Sequence, residues 1–186
     1  MNRKGFTLIE ILAVIIILGV IMTIAVPNVL SMIDRNKKDT FIEHAKMMAT
    51  QAEYTIRKDV SIEYPSEGKA IVLTLEYLNT NDISESPYDT SYNKERSFVA
   101  IVNKKEGEYT EYKYYVHLVA CGDETCTTSS KTTGINLIDV SELTGSDRFS
   151  KVETFEDVEI NYINDNDSLI SLLGVSEIQD VYNKLS

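Results

Sequence analysis

The sequence predicts an α+β fold in which a long N-terminal α-helix packs on a small antiparallel β-sheet head. Three observations carry that expectation. Phe6–Val26 reads FTLIEILAVIIILGVIMTIAV, 21 residues with a single charge at Glu10. Beyond Pro27, apolar residues recur at helical spacing as far as Ile56. From Ser97 onward, short stretches alternate apolar and polar residues in the manner of half-buried strands. The chain of 186 residues has room for one ordinary domain and an appendage. With 43% apolar and 25% charged residues it can also bury a core. The divisions expected are 1–5 as a leader, 6–58 as the long helix with 6–26 in the membrane, and 59–186 as a globular head.

The first segment is long enough to cross a bilayer. At about 1.5 Å per residue, a helix over Phe6–Val26 spans roughly 30 Å, the thickness of a hydrocarbon core. Arg3 and Lys4 precede it and stay cytoplasmic under the positive-inside rule, which places the remainder outside. A secretory signal peptide has the same ingredients, and Thr23-Ile24-Ala25 resembles a small-residue cleavage site. Against that stand an apolar run longer than the usual signal core of about 7–15 residues, a carboxylate near its start, and Pro27 just past the cut. An ordinary single-pass anchor fits the length but leaves Glu10 unexplained.

A carboxylate within an apolar segment is costly and usually marks a function, and it needs a cation. No Lys or Arg lies near Glu10 on the apolar side. A cut between Gly5 and Phe6 would supply one, because the new α-amino group is protonated at neutral pH. Lys4-Gly5-Phe6-Thr7-Leu8-Ile9-Glu10 resembles the class III leader and processing site of type IV prepilins and the related pseudopilins. The resemblance covers about the first thirty residues. It implies that a prepilin peptidase cuts after Gly5 on the cytoplasmic side and methylates Phe6. It also implies that Glu10 pairs with a neighbouring subunit's N-terminus during assembly, and that Pro27 matches a proline common in the family's helix. The cut removes Arg3 and Lys4, leaving 16 basic side chains against 29 acidic ones, a formal charge of −13.

Past Pro27, Leu30, Ile33, Phe41, Ala45, Met48, Ala52 and Ile56 form a stripe, interrupted by a polar turn at Asn36–Asp39. One helix to about Lys58 is the simplest reading, half in lipid and half backing the head. A chain starting near Val29 is then expected to be a soluble acidic monomer. Pro27 cannot donate to the Thr23 carbonyl, and Gly19 is a second weak point through backbone entropy. The plain reading is a modest kink. The resemblance adds that the Gly19–Pro27 stretch unwinds or extends when subunits pack in a filament.

In the head, residues 59–96 read as a connecting region, with Thr74–Leu78 as a short Thr-capped helix. Ser97–Val102 and Tyr109–Ala120 read as strands joined by a hairpin at Lys104–Gly107. Val158–Tyr162 is a further strand and Ile135–Ile138 a short one. Leu169–Leu173 and Ser176–Leu185 read as one or two short helices, with Asp167, Ser168 and Ser176 as candidate N-caps. An antiparallel sheet on a long helix is the pilin architecture, although many pilins end in a disulfide-closed loop instead of these helices.

Cys121-Gly-Asp-Glu-Thr-Cys126 has neither redox CxxC spacing nor half of a recognisable zinc site. Two free thiols in a loop are one reading. An extracellular, oxidising compartment favours a local disulfide, which would stabilise by about 2 kcal/mol on the chain-entropy model. His44 and His117 belong to no triad or metal motif and read as surface or interface residues, His117 on a strand's polar face. Asn164–Ser168 invites a calcium reading but lacks the glycine and distal glutamate of an EF-hand, so turn and cap chemistry accounts for it. No catalytic constellation, metal site or cofactor is expected. A chain of charge −11 repels phosphate backbones, so bulk nucleic-acid binding is not expected either. What the resemblance implies is a non-enzymatic structural subunit of a type IV pilus, serving adhesion or motility. The alternative is a pseudopilin of a type II secretion or DNA-uptake system. The partners implied are sister pilins in a homo-polymer, the prepilin peptidase, an assembly platform with its ATPase, and the membrane before assembly.

Overall fold

The computed structural model describes residues 7–80, 83, 85–106, 109–121, 132–155 and 166–180. The chain divides into two compact units, Met1–Lys37 and Lys38–Ser186. Helix α1, Leu8–Lys58, begins in the first and ends in the second.

In the first unit no described residue is buried. Its side chains are apolar on every face, so no single stripe exists to pack on a core. Leu30 and Ile33, expected in the head-facing stripe, are 61% and 45% exposed. The burial of α1 starts only at Phe41 and Ile42 and continues through Ala45, Met48, Ala49, Ala52 and Ile56 at spacings of three and four. The polar turn Asn36–Asp39 separates the two regimes without breaking the helix. Asp59 stops it: Ser61 N–H donates to Asp59 Oδ1 at 3.0 Å and the Tyr77 hydroxyl donates to Oδ2 at 2.9 Å.

The second unit is built on a sheet of order β6-β5-β4-β3-β1-β7, with β2 added beside β4. The strands are β1 (Lys69–Thr74), β2 (Ser91–Tyr92), β3 (Phe98–Glu106), β4 (Tyr109–Cys121), β5 (Thr132–Asp139), β6 (Glu153–Phe155) and β7 (Glu177–Asp180). A short α2, Leu75–Leu78, follows β1, capped by Thr74 Oγ1 accepting from Tyr77 N–H at 3.3 Å. Helix α3 covers Asn166–Leu173. Period-two alternation sends Ile71, Leu73, Val99, Ile101, Val116, Leu118 and Ala120 into a core shared with α1. The opposite residues Ala70, Val72, Phe98, Ala100 and Val102 join Leu169, Leu173 and Val175 in a second cluster. The sheet is therefore covered on both faces, by α1 and by α3.

The α+β architecture is as expected, with three corrections inside it. The region 59–96 is more than a connection, because β1 lies within the sheet between β3 and β7. Its Ala70–Leu73 run is apolar throughout, as a strand covered on both sides requires. Within Ser176–Leu185, expected as a helix, Glu177–Asp180 instead forms β7, and 181–185 lie outside the described residues. Gly174, at φ 66°, ends α3, and Ser176 donates from N and from Oγ to Gly68 O at 2.8 and 3.0 Å. These bonds align the chain parallel to β1 in the register Lys69↔Glu177, where an ion pair joins the two side chains. The sheet is thus mixed, since the β1–β7 pair is parallel and the others are antiparallel. The expected strand Val158–Tyr162 lies outside the described residues.

Candidate functional site

Gly5 and Phe6, the expected cleavage and methylation positions, lie outside the described residues. The site is described from Thr7 onward. Thr7 precedes the first turn of α1, and its N–H and Oγ1 donate to Glu10 Oε2 at 2.8 and 2.9 Å. In return Glu10 N–H lies 3.4 Å from Thr7 Oγ1. This is a capping box, in which the cap hydroxyl and a carboxylate three residues on satisfy donors that the helix leaves unpaired. The signal was present as Thr7-x-x-Glu10, and reading Glu10 only for its charge passed over it. Within one chain, then, the carboxylate has a local use as well as the inter-subunit one that the resemblance implies.

Behind the box runs the apolar surface. A membrane-length window of α1 has a mean hydropathy of 2.9 and none of it is buried. Gly19 and Pro27 lie in this part of the helix, which stays helical through both. A Cβ added at Gly19 would meet nothing within 4 Å, so glycine is not required by the packing of a single chain. Two side chains add hydrogen bonds to helix carbonyls near Pro27, although neither reaches the Thr23 carbonyl that the proline leaves without a donor. Thr23 Oγ1 donates to Gly19 O at 2.9 Å, and Asn28 Nδ2 donates to Ile24 O at 3.1 Å.

The other expected positions are scattered in the head. Cys121 ends β4 at 3% exposure, while Cys126 lies outside the described residues. His44 is half-buried, with Nδ1 2.8 Å from the Tyr92 hydroxyl, and Phe41 meets the same ring edge-on at 5.3 Å. It ties the β2 region to α1, and burial lowers its pKa. His117 departs from expectation: it is 4% exposed, tilted against Phe98 at 5.1 Å, with Nδ1 lacking a partner. Burial pushes its pKa down to about 4, against a smaller opposing pull from Asn136. It faces the side of the sheet that α3 covers, which turns an apparently polar face into an interior. Among the described residues no group of three or more His, Cys, Asp or Glu could hold a metal ion. Asn164 and Asp165 of the acidic cluster fall outside them.

Residues 1–26 match the prokaryotic N-terminal methylation motif. That match spans the leader, Glu10 and the whole apolar segment up to Val26. Together with the long helix and the sheet, it supports a type IV pilin- or prepilin-like protein with a pilin-like α+β architecture. No curated protein and no solved structure matches the chain. The motif and the unburied apolar helix fit a single-pass membrane anchor, and they suggest assembly with other pilins and processing by a prepilin peptidase.

Proposed function

We propose that the chain is the precursor of a structural subunit of a type IV pilus, stored in the membrane and polymerised through α1 for surface adhesion or motility. One observation carries the reading. From Leu8 to Ile33 the helix exposes apolar side chains on all faces, with one carboxylate, Glu10, in its first turn. Such a surface needs lipid or other helices around it. An embedded carboxylate is tolerated where a cation will meet it. On this reading the peptidase cuts after Gly5 and methylates Phe6, and the head, with no enzymatic role, lies outside the cell. Sister subunits, the assembly platform and its ATPase are the partners, and Cys121 pairs with Cys126.

Two measurements test it. Intact-mass and N-terminal peptide spectra of the mature protein should show N-methyl-Phe6, with a mass lower by the two hydrogens of a disulfide. A chain starting near Val26 would instead mean an ordinary signal peptide and end the pilin reading. Electron microscopy of sheared surface filaments, labelled with head-specific antibody, should show the label on the filaments. Unlabelled filaments, with secretion or DNA uptake lost on deletion, would assign the chain to the pseudopilins.

A further inference from the structure

β4 is flanked unequally. β3 pairs with it from Tyr109 to His117, whereas β5 pairs only from Tyr115 to Cys121 and leaves after Asp139 for a 3₁₀ turn, Val140–Thr144. Among the described residues, Tyr109–Tyr114 therefore has no strand on its β5 side. Open space lies there, a notch of about 290 Å³ bordered by residues 111–114 and by the departing chain at 139–141. Tyr109, Thr110 and Glu111 are exposed.

The direction of the backbone groups follows from alternation. Val119 N–H donates to Ser97 Oγ at 3.0 Å, and the Val119 carbonyl accepts from Asn93 N–H at 2.9 Å. Odd-numbered residues of β4 thus turn N–H and C=O toward β2 and β3, and even-numbered ones turn them toward β5. The β3–β4 register runs unbroken from Phe98↔His117 to Glu106↔Tyr109, so the alternation holds to the start of the strand. Thr110 and Tyr112 accordingly aim their backbone groups at the open side. An edge of this kind is a template for another strand. Tyr109–Tyr114 has neither proline nor bulge to blunt it, and its Tyr and Thr residues suit a strand.

We propose that this edge takes the same stretch of a second copy of the chain, paired antiparallel about a two-fold axis at Tyr112. Charge selects that register. An axis at Glu111 sets Glu111 against Glu111, and an axis at Lys113 sets Lys113 against Lys113, like charges directly opposite. An axis at Tyr112 lets the two copies of Tyr112 exchange both backbone bonds. It also sets Glu111 opposite Lys113 twice, in the closer, non-hydrogen-bonded geometry. The ladder covers Thr110–Tyr114. Tyr109, 81% exposed, lies past its end and turns aside, because Asp139 of the second copy holds the place beside Tyr115. So short a ladder buries too little for a stable dimer, so dilute copies stay single and the contact forms where copies crowd. The half-turn reverses the head part of α1, Phe41–Ile56, between the copies. A helical polymer gives all its copies one direction, so on the pilus reading the contact joins copies of different filaments. The strand pairing itself does not rest on that reading.

The test uses two full-length variants, Glu111→Cys and Lys113→Cys, concentrated in detergent micelles under mild oxidation and read by mass and non-reducing gels. In the proposed register the new thiols face each other only when the variants are mixed, and the other Glu111–Lys113 pair stays intact. Within either variant alone they lie about 8 Å apart, from ~3.4 Å per residue along the strand and ~4.8 Å across it, beyond disulfide reach. The mixture should form its mixed disulfide dimer roughly tenfold faster than either variant forms its own. Faster cross-linking of either variant alone, equal rates in all three samples, or no dimer beyond the wild-type level would each overturn the proposal.

Discussion

Glu10 accepts two hydrogen bonds from Thr7, so its carboxylate is engaged before any neighbouring subunit arrives. Capping and inter-subunit pairing can be separated by substitution. Glu10→Gln keeps an acceptor for the capping box and removes the charge, whereas Glu10→Val removes both. Pairing with a neighbour's amine in a filament core requires the charge, because losing one member of a buried pair strands the other. Both variants should therefore be cut after Gly5 and enter sheared filaments poorly, counted by mass against wild type. Wild-type incorporation of Glu10→Gln would leave capping as the residue's whole role. His117 supplies the second residue-scale prediction. Its folded pKa near 4 lies below the ordinary value of 6.5, so between those pH values the unfolded chain binds the extra proton. Its contribution is thus fully present above pH 6.5 and falls away as the pH drops to 4, by up to roughly 3 kcal/mol. Urea unfolding of wild type against His117→Gln should isolate this slope from that of the carboxylates. Parallel curves would mean that the imidazole is hydrated in the folded head.

At the scale of elements, what could be read in the sequence depended on periodicity. α1 and β4 were legible because one period runs through each, three to four residues for the helix and two for the strand, whereas β3 and β5 were legible only as short apolar runs bounded by polar residues. β1 was not read, since its short run Ala70–Leu73 is buried on both faces, shows no alternation and leads directly into the Thr-capped turn of α2. β7 was not, since its position depends on Ser176 bonding to Gly68, a contact across more than a hundred residues. The capping box was legible and passed over, while the burial of His117 depends on the layer formed by α3. The boundary along α1 is the consequential difference. Val29, Leu30, Met32 and Ile33 are exposed, so they belong with the apolar segment and not with the head core. A chain beginning at Val29 keeps four apolar side chains with nothing to cover them, whereas one beginning at Lys38 starts where the second compact unit does. Light scattering should find the shorter chain monomeric and the longer one self-associating in proportion to concentration. A monomeric Val29 chain would restore the boundary at Pro27 that hydropathy alone implies.

For the molecule as a whole, the head is a sheet with a helix on each face, and the two clusters contribute unequally. The α1 side holds most of the large buried residues, among them Phe41, Ile42, Met48, Ile71, Leu73, Ile101 and Leu118. The α3 side is smaller, and Leu169 is its fully buried anchor against the Phe98–Ala100–Val102 row. If α3 is a structural layer, emptying that anchor should destabilise the head. Leu169→Ala is expected to cost about 2–5 kcal/mol, the range for deleting a buried leucine, because a cavity remains where the side chain was. Leu172, one turn position away on the same helix and 61% exposed, is the control. Leu172→Ala should change stability by under about 0.5 kcal/mol. The comparison cancels helix propensity, since both changes put the same alanine into α3. Neither substitution touches the leader or the apolar segment, so cleavage after Gly5 and membrane insertion should be unchanged in both. Urea unfolding and limited proteolysis of the full chain give the readout. Equal behaviour of the two variants would mean that α3 is a loose cover and that α1 alone sustains the sheet. A selective loss in Leu169→Ala would show that the head depends on its C-terminal layer for the order of the whole sheet, including the burial that holds His117 neutral.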